Sequence, residues 1–394
     1  MKSWIKAINK KIKHGLGEAL IRAYCLVCNR KIEQNKVFVM TFDNRYSCNP
    51  KAIVEELLSR HSGLKIVWTY TGKEEDARNH FPQGITLVRR GSLKMIREQL
   101  SSKVWLDNGI NCLWFGVPKK KDQIYINTWH GSLGIKKYSG DRMWLRIAAK
   151  AAGSTDYCIT NSTFEEKIFR DNLWPNSQML PFGHARNDIL FRKEEHHRIR
   201  ENICKQFGVP FETKMFLYAP TFRDDHNTSW MTLDFSRLRN NLEKRFGGKW
   251  VILLRFHFKD RDNTCWRKGY EAEYIDASRV PDMYQLMIAS DAGCSDYSSW
   301  IYDYLLLDRP AFLYLPDLSE YDEERGFTYP IRTTPFPKAE NNDEMENVVL
   351  NYDADAYKRA KEAFLKEKGC YEDGNAASRA AAFIESITKG KTNE

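Results

Sequence analysis

Strand-like and helix-like segments alternate along this chain from about residue 36, and this rhythm constrains the fold more than any other feature. A buried-strand run at residues 37–42 is followed by a helix pattern at 51–59 and a second apolar run at 65–70. Near-continuous apolar runs rich in Val, Ile and aromatic residues are typical of strands that are covered on both faces. The alternation therefore predicts parallel sheets with helices packed on both sides.

Two successive sets of strands are predicted. The first set comprises residues 37–42, 65–70, 86–89, 103–106, 123–128, 156–160 and 178–181. After a charged helix over 192–207, the second set comprises residues 214–219, 250–255, 274–276, 292–294 and 310–314. Two open α/β sheets joined by a helical crossover predict two Rossmann-like lobes that face a cleft. We expect the first lobe at 33–195 and the second at 196–385.

The first 32 residues differ in composition from the rest of the chain. The apolar residues that recur there at every fourth position are Trp4, Ile8, Ile12, Leu16 and Leu20. Lysines crowd the same stretch, so residues 1–32 are predicted to form a basic amphipathic helix that lies on an anionic membrane surface. A helix docked on the protein's own surface is the alternative. Residues 386–394 are expected to form a C-terminal tail, in which 389–394 are frayed.

Composition and motif content exclude several classes of protein. No apolar run approaches the roughly 18 to 20 residues that a membrane-spanning helix needs. The nine cysteines are scattered, apart from Cys25 and Cys28, which is typical of reduced thiols in the cytoplasm. The patterns of zinc hydrolases, Walker-type NTPases and dinucleotide oxidoreductases do not occur. Asp260 and Asp262 could hold a divalent cation, but so short a spacing also arises by chance, and no cofactor is firmly predicted.

Polar residues that directly follow a strand are candidates for function, because ligands of open α/β sheets bind beyond the carboxyl ends of the strands. Two of them are histidines: His130 follows the strand that ends near residue 128, and His257 follows the strand at 250–255. An imidazole, with an ordinary pKa of about 6.5, suits proton abstraction from a hydroxyl. Lys136 adds positive charge a few residues after His130. Either histidine could instead have a purely structural role.

Groups that suit phosphate binding follow other strands. Arg186 and Asp188 come after the strand at 178–181, where they could clamp a phosphate or a ribose, or equally form a salt bridge between the lobes. Thr221 and Arg223 follow the first strand of the second lobe and make a credible phosphate-recognition pair. A loop arginine on a solvated face is the alternative for Arg223.

The strongest of these segments precedes an amphipathic helix near residue 300. Asp296, Ser298 and Ser299 stand at its start, where free backbone N–H groups and the helix dipole favour an anion. An ordinary N-cap would use the same residue types. Further on, an acidic loop ends in Arg325 and Gly326. That arginine could neutralise the charge of a leaving group, or it could pair with its acidic neighbours.

Taken in order, these segments resemble the CDP-glycerol glycerophosphotransferase family, the teichoic-acid primases and polymerases, from about residue 36 to 385. The family pattern reads W-H-G-T-P-x-K, G-x-P-R-x-D, Y-x-P-T-[WF]-R, R-x-H-P, T-D-Y-S-S-x-x-x-D and D-x-x-x-Y-x-x-x-R-G. The chain departs from this pattern at Ser132, Leu133, Ala185, Phe258 and Ser295, yet it keeps the charged and imidazole groups. The departures leave the choice of polyol open.

The resemblance implies a GT-B-like enzyme at the cytoplasmic face of the cell membrane. Its C-terminal lobe would bind CDP-glycerol, and its N-terminal lobe would face a lipid-linked acceptor. An acceptor hydroxyl would attack the β-phosphate and release CMP in the synthesis of teichoic acid, a capsule or a related polymer. His130 is implied as general base and His257 as a second imidazole. The residues predicted to bind or orient the substrates are Lys136, Arg186, Asp188, Thr221, Arg223, Asp296, Ser298, Ser299, Asp303, Arg325 and Gly326.

Three alternatives stay open at this point. The donor could be CDP-ribitol, and the acceptor could be a polyprenyl diphosphate or a glycolipid. A GT-B glycosyltransferase that uses a sugar nucleotide would share the fold but break a C–O bond. A non-enzymatic basic protein would explain the net charge of +9, but it gives no purpose to two imidazoles at strand ends. No nucleic-acid partner is therefore predicted.

Overall fold

The chain divides into two compact units. A computed structural model describes residues 17, 19–28, 30–42, 44–133, 137, 142–221, 223, 230–256, 273–324 and 326–388. The N-terminal unit contains Met1–His130, Gly140–Asp188 and Tyr371–Glu394. The C-terminal unit contains Gly131–Ser139 and Ile189–Cys370.

The N-terminal unit is built on a seven-stranded parallel sheet. Its strands are β1 (Glu33–Met40), β2 (Lys65–Tyr70), β3 (Ile85–Arg89), β4 (Ser102–Asp107), β5 (Ile124–Asn127), β6 (Tyr157–Ile159) and β7 (Gln178–Leu180). They are arranged in the order β3-β2-β1-β4-β5-β6-β7. The order reverses between β1 and β4, and ligands of such sheets bind at this switch point, beyond the carboxyl ends of the strands.

The continuous apolar run of β1 explains why this sheet is central. Val37 and Val39 belong to one hydrophobic cluster, and Phe38 and Met40 belong to another. Successive side chains of a strand point to opposite faces of the sheet, and all four of these are fully buried. Both faces of the sheet are therefore covered, as the sequence predicted.

The C-terminal unit repeats this plan with a six-stranded parallel sheet. Its strands are β8 (Lys214–Tyr218), β9 (Trp250–Leu254), β10 (Ile275–Asp276), β11 (Ala292–Ser295), β12 (Ala311–Tyr314) and β13 (Lys338–Ala339). The order is β10-β9-β8-β11-β12-β13, with its switch point between β8 and β11. Both sheets thus follow the doubly wound order, and the prediction of an α/β fold with two Rossmann-like lobes is confirmed.

Helices connect the strands in both units. They are α1 (residues 19–28), α2 (Cys48–Ser59), α3 (Glu74–Arg78), α4 (Leu93–Ser101), α5 (Arg142–Ala152), α6 (Thr163–Asn172), α7 (Lys193–Phe207), α8 (Phe235–Phe246), α9 (Met283–Ala289), α10 (Trp300–Tyr304), α11 (Leu318–Glu324), α12 (Asn342–Leu350), α13 (Ala354–Glu367) and α14 (Ala376–Thr388). No helix among the described residues is long and apolar enough to cross a bilayer. Most of the amphipathic helix predicted at 1–32 lies outside the described residues, which include its last part, α1.

The last helix returns to the N-terminal unit. The residues of α14 that join the core cluster of β1 are Ala376, Ala377, Ala380, Ala381 and Ile384. Small alanine side chains on one face allow the helix to pack closely against α2 and β1. The sequence-based boundaries instead group residues up to 385 with the second lobe, because the helix follows that lobe in the chain.

Candidate active site

The switch point of the N-terminal sheet carries His130. Its ring contacts those of Phe42, which follows β1, and Trp129, with ring centroids 4.7 and 4.6 Å away. Its Nδ1 lies 2.5 Å from the backbone oxygen of Asn108, which follows β4. The loops after three neighbouring strands thus hold one half-buried imidazole at the edge where ligands of such sheets bind.

The contact with Asn108 fixes the tautomer of His130. A carbonyl oxygen can only accept a hydrogen bond, so Nδ1 of the neutral ring carries the hydrogen. The lone pair of the ring then lies on Nε2, which is the arrangement that a general base needs. A hydroxyl within reach of Nε2 could therefore give up its proton to His130.

The backbone around His130 adopts conformations that are rare for bulky residues. Trp129 has a φ of 52° and Leu133 a φ of 40°, both in the left-handed region. Trp129 is held there by edge-on contacts with Phe169 and Trp174, at centroid distances of 5.7 and 5.4 Å. Such conformations cost about 1–3 kcal/mol each and cluster at functional sites. The local strain agrees with a site role for this segment.

Asp107, at the end of β4, organises the loop that carries the partner of His130. It is fully buried and accepts hydrogen bonds from the backbone N–H groups of Gly109 and Cys112, the side chain of Asn111 and the hydroxyl of Tyr125. Burial raises the pKa of this carboxyl group. Asp107 is not among the residues predicted from the sequence, although an aspartate directly after a predicted strand and before Asn-Gly could have indicated it.

Arg186 lies close to His130, as the order of the strands allows. Its Nη1 donates to the backbone oxygen of His130 at 2.6 Å. Its backbone N–H donates to the side-chain oxygen of Asn49 at 3.1 Å, and the Asn49 amide donates to the oxygen of Thr128 at 2.8 Å. The loop of Arg186 is therefore tied to both sides of the histidine turn.

Asp188 has a different environment from Arg186. It is 2% exposed, and its two carboxylate oxygens accept the backbone N–H groups of Ala376 and Ala377 at 3.0 and 2.8 Å. These groups are the free donors at the start of α14. In this structure Asp188 thus caps a helix of its own unit.

The turn before Arg186 has little freedom to move. Gly183 has a φ of 87°, and a Cβ atom there would lie 2.9 Å from Oε2 of Glu372. Next to it, the buried His184 places Nε2 3.0 Å from Oε2 of Glu165. Burial lowers the pKa of His184, but the Glu165 carboxylate outweighs it, so the pKa is raised. These contacts fix the turn that presents Arg186.

The second group of candidates lies at the switch point of the C-terminal sheet, after β8 and β11. Asp296 is 2% exposed and accepts the backbone N–H of Thr221 at 2.8 Å. The Thr221 hydroxyl is buried and has no hydrogen-bond partner among the described residues. Buried hydroxyls nearly always have a partner, so this group is suited to a bound ligand or a water molecule.

Arg223 is buried between two carboxylates. Its Nη1 lies 3.0 Å from Asp296, and its Nε and Nη2 form a two-pronged contact with Asp317 at 2.7 and 3.0 Å. Burial lowers the pKa of Arg223, but the two carboxylates outweigh it and raise the pKa above its ordinary range. Nη1 also donates to the oxygen of Thr221 at 2.8 Å. Most of the guanidinium donors are thus used within the protein.

Aromatic rings complete the surroundings of Arg223. Its guanidinium lies 4.2 Å from the ring centroid of Trp230 and 5.0 Å from those of Tyr297 and Tyr321. The two tyrosine rings stack at 3.8 Å. This cage of three rings was not predicted from the sequence, because the rings come from separate segments of the chain. It holds Arg223 as the centre that joins the loops after β8, β11 and β12.

The remaining predicted residues of this unit lie at α10 and near residue 326. Ser298 and Ser299 are half-buried, and the Ser299 side chain makes no capping hydrogen bond at the start of α10. Asp303 is 2% exposed and accepts the hydroxyl of Tyr284 at 2.8 Å. Gly326 has a φ of 66°.

Three predicted site residues, Lys136, His257 and Arg325, lie outside the described residues, as do Asp260 and Asp262. In the part of the chain that the structure describes, no cluster of three or more His, Cys, Asp or Glu side chains could hold a metal ion.

Comparison with known proteins identifies the family. A family model described as CDP-glycerol:poly(glycerophosphate) glycerophosphotransferase matches residues 22–386. The chain belongs to this glycerophosphotransferase family. It is 29% identical to the teichoic acid poly(glycerol phosphate) polymerase of Staphylococcus epidermidis over 80% of this chain, but it spans about half of that relative's length, 46%.

Other known proteins show similar identity to this chain. The chain is 29% identical to the teichoic acid ribitol-phosphate primase of Bacillus spizizenii, over 70% of this chain and 72% of that protein. A solved structure of the wall teichoic acid polymerase TagF, a histidine variant soaked with CDPG, is 26% identical. It superimposes with a TM-score of 0.80 and covers 98% of both chains.

Proposed function

We propose that this chain moves glycerol phosphate from CDP-glycerol to a hydroxyl of a lipid-linked acceptor and releases CMP, in the synthesis of teichoic acid or a related cell-surface polymer. Membership of the glycerophosphotransferase family and the likeness to a TagF structure soaked with CDPG support this donor. The observation that carries the proposal is the orientation of His130, whose Nδ1 donates to the Asn108 carbonyl and leaves the lone pair on Nε2.

The reaction would proceed by attack on the β-phosphorus. Nε2 of His130 takes the proton of the acceptor hydroxyl while its oxygen bonds to the β-phosphorus of CDP-glycerol. The bond from that phosphorus to the bridging oxygen breaks, and the oxygen leaves on CMP with the electron pair. Phosphoryl transfer needs mainly positioning and charge stabilisation. We assign those tasks to His257, Arg325, Thr221, Ser298 and Ser299.

Asp296 and Asp317, the two carboxylates that pair with Arg223, suggest how the donor site would be held in place. Asp296 fixes the loop after β8 through the Thr221 N–H and is itself paired with Arg223. A ligand phosphate placed at the Thr221 hydroxyl would supply that buried group with a partner. Arg223 would then act on the donor through the loops that it joins.

A second candidate donor is CDP-ribitol, which the similarity to a ribitol-phosphate primase favours. CMP release should be measured with CDP-glycerol, with CDP-ribitol and with UDP-sugars, using polyprenyl-diphosphate-linked and glycolipid acceptors. Product masses distinguish single addition from polymerisation. Release of UDP with no CMP from either CDP-polyol would reject the proposal in favour of a glycosyltransferase.

Replacing His130 tests directly whether this residue is the general base. His130→Ala should lower the rate of CMP release by at least about 100-fold, the usual contribution of a general base. His61→Ala is the matched control, because His61 is an exposed histidine of the same unit. Wild-type turnover in the His130 variant would remove it from the base role.

We further propose that α1 contributes to a peripheral contact with an anionic membrane at the cytoplasmic face of the cell. Leu20, Leu26 and Val27 are 69%, 82% and 88% exposed, while Cys25 on the opposite side packs into the core. Arg22 and Arg30 are exposed beside these apolar side chains. Exposed apolar residues next to basic ones suit the headgroup layer of anionic lipids.

Vesicle sedimentation tests the membrane contact without any assay of activity. The double change of Leu26 and Val27 to serine should weaken binding to vesicles that contain anionic lipid. Phe211→Ser is the control, since Phe211 is an exposed apolar residue of the C-terminal unit. Equal partitioning of wild type and the double variant would reject the role of α1.

A further inference from the structure

One buried amide links the loops that follow three strands of the N-terminal sheet. Asn49 lies in the first turn of α2, after β1, and is 1% exposed. Its Nδ2 donates to the backbone oxygens of Thr128 at 2.8 Å and Trp129 at 3.2 Å, in the loop after β5. Its Oδ1 accepts the backbone N–H of Arg186, after β7, at 3.1 Å. Because β4 and β6 separate these strands in the sheet, Asn49 bridges loops that do not follow neighbouring strands.

The contacts of Asn49 use both halves of its amide. A carbonyl oxygen can only accept and a backbone N–H can only donate, so the partners fix which end of the side chain is Oδ1. The two hydrogens of Nδ2 go to two different carbonyls. A carboxylate of the same shape has no hydrogen to donate, and an alkyl side chain could neither donate nor accept. Among side chains of this size, only an asparagine serves all three partners.

The residues around Asn49 form a closed circuit of hydrogen bonds that includes the candidate base. Asn49 holds the carbonyls of Thr128 and Trp129. Nη1 of Arg186 donates to the carbonyl of the next residue, His130, at 2.6 Å. The backbone of Arg186 is in turn held by Asn49. Three consecutive carbonyls that end at His130 are thus fixed by two residues that also bond to each other, and the direction of the His130 side chain depends on this turn.

The backbone is strained on both sides of the contact. Cys48, directly before Asn49, has a φ of 63°, and Trp129 has a φ of 52°. Left-handed conformations of such residues persist only where the surrounding structure holds them. Nη1 of Arg186 also donates to Sγ of Cys48 at 3.4 Å. The hydrogen bonds of Asn49 join the two strained segments, which agrees with a precise placement of the turn that carries His130.

We propose that Asn49 is a positioning residue for phosphoryl transfer, which orients the imidazole of His130 through the turn that carries it. The inference rests on the proposed function, in which His130 is the general base. Asn49 acts through His130 and not on the reacting atoms. It lies outside the six motifs that carry the family resemblance, and its role follows from the hydrogen bonds that it makes.

Replacement by aspartate removes the two donated hydrogen bonds but keeps the shape of the side chain. Asn49→Asp should lower the kcat of CMP release by about 10- to 100-fold, because a displacement of catalytic groups by about 1 Å costs rates of this size. The KM for CDP-glycerol should change by less than about threefold, since the groups assigned to the donor belong to the C-terminal unit. Asn49→Ala adds no charge, should show the same pattern, and takes the place of the aspartate variant if that protein does not fold.

The ring of His130 gives a readout that does not depend on activity. In nitrogen NMR spectra of histidine-labelled protein, the signals of His130 are identified by their loss in His130→Ala. Wild type should show the tautomer with its hydrogen on Nδ1, which donates to the Asn108 carbonyl. In Asn49→Asp the ring should lose this fixed partner, so that both tautomers are populated.

Gln123→Glu is the matched control. Gln123 is another amide of the N-terminal unit that is 1% exposed, and its Nε2 donates to the backbone oxygens of Gln99 and Ser102 at 2.9 and 2.6 Å. It directly precedes β5, at the opposite end of that strand from His130. Kinetic constants are expressed per folded enzyme, with the folded fraction taken from urea unfolding. The control should therefore lose stability but keep a kcat close to that of wild type.

Wild-type kcat in Asn49→Asp would overturn the inference. So would a loss of kcat with unchanged ring signals of His130, or an equal loss of kcat in Gln123→Glu. A wild-type enzyme that releases no CMP from either CDP-polyol would instead overturn the proposed function.

Discussion

Replacing Asp107 by asparagine tests whether the loop after β4 orients the imidazole of the candidate base. The change keeps the shape of the side chain but turns one carboxylate oxygen into an NH₂ group. Oδ1 accepts from the N–H of Gly109 at 2.8 Å and from Asn111 at 2.7 Å. Oδ2 accepts from the N–H of Cys112 at 2.7 Å and from Tyr125 at 2.9 Å. In either orientation of the asparagine amide, its NH₂ group faces two groups that are themselves hydrogen-bond donors.

The structure indicates the less costly orientation. With the NH₂ group at the Oδ2 position, the Tyr125 hydroxyl can turn to the oxygen of Gly109 at 3.4 Å. The N–H of Cys112 then stays unsatisfied, which costs about 1–3 kcal/mol. Burial raises the pKa of Asp107, which means that its negative charge is costly to bury. The asparagine variant avoids this cost, so part of the loss in stability is offset. We expect a net loss of about 1–2 kcal/mol in the free energy of unfolding.

The effect on catalysis should exceed the effect on folding. The Asn108 carbonyl that holds Nδ1 of His130 follows directly on the disturbed carboxylate, and a displacement of about 1 Å can cost a factor of about 100 in rate. We expect kcat for CMP release to fall about 10- to 100-fold while the protein remains folded at 25 °C.

Urea unfolding and steady-state kinetics separate the two effects. Asp156→Asn serves as the control, because Asp156 is a carboxylate of the same unit that pairs with Lys119 at 2.8 Å. Asp107→Asn with wild-type kcat per folded molecule would refute the reasoning. So would an equal loss of kcat in the control.

Two further predictions concern stability. Gly183→Ala should lower the free energy of unfolding by more than Gly208→Ala. Both glycines have a left-handed backbone, which alone costs another residue about 1–2 kcal/mol, but only at Gly183 would an added Cβ lie 2.9 Å from Oε2 of Glu372. Equal losses for the two variants in urea unfolding would contradict the close contact. Burial lowers the pKa of Lys338 to about 8, below its ordinary value of about 10.4. The folded state therefore bears the cost of a buried charge below pH 8 and is relieved of it as pH rises toward 10.4, so wild type should gain up to about 3 kcal/mol relative to Lys338→Met between pH 7 and 10.5. A pH-independent difference between the two proteins would contradict this.

Most of the fold could be predicted from the sequence because both sheets are parallel and buried. Their strands read as continuous apolar runs, and the twelve predicted strands correspond to β1–β12. The exception is β13, with only two residues, Lys338 and Ala339, and no apolar run of its own. The return of α14 to the N-terminal unit also left no local signal, since the residues that it packs against are far away in the chain.

The site could be predicted only to the extent that a residue's position at the end of a strand indicates its function. His130, Arg186, Thr221 and Asp296 could be placed at strand ends. The structure brings Arg186 into contact with His130, and it puts Thr221 and Asp296 together at the switch point of the C-terminal sheet. Residue type alone did not distinguish a side chain that faces a ligand from one that serves the protein. Asp188 caps a helix, for example, and its partners become neighbours only on folding.

The position of α14 has a consequence for how the chain is made. The ribosome delivers the first seven strands early, but the helix that closes one face of their sheet emerges only after the whole C-terminal unit. Domains generally fold as units in the order of their synthesis. The C-terminal unit is thus free to fold before the unit that precedes it in sequence is complete. Until then, the apolar surface of β1 and α2 that α14 will cover needs temporary protection, and a chain that stops short of α14 would leave it open to aggregation.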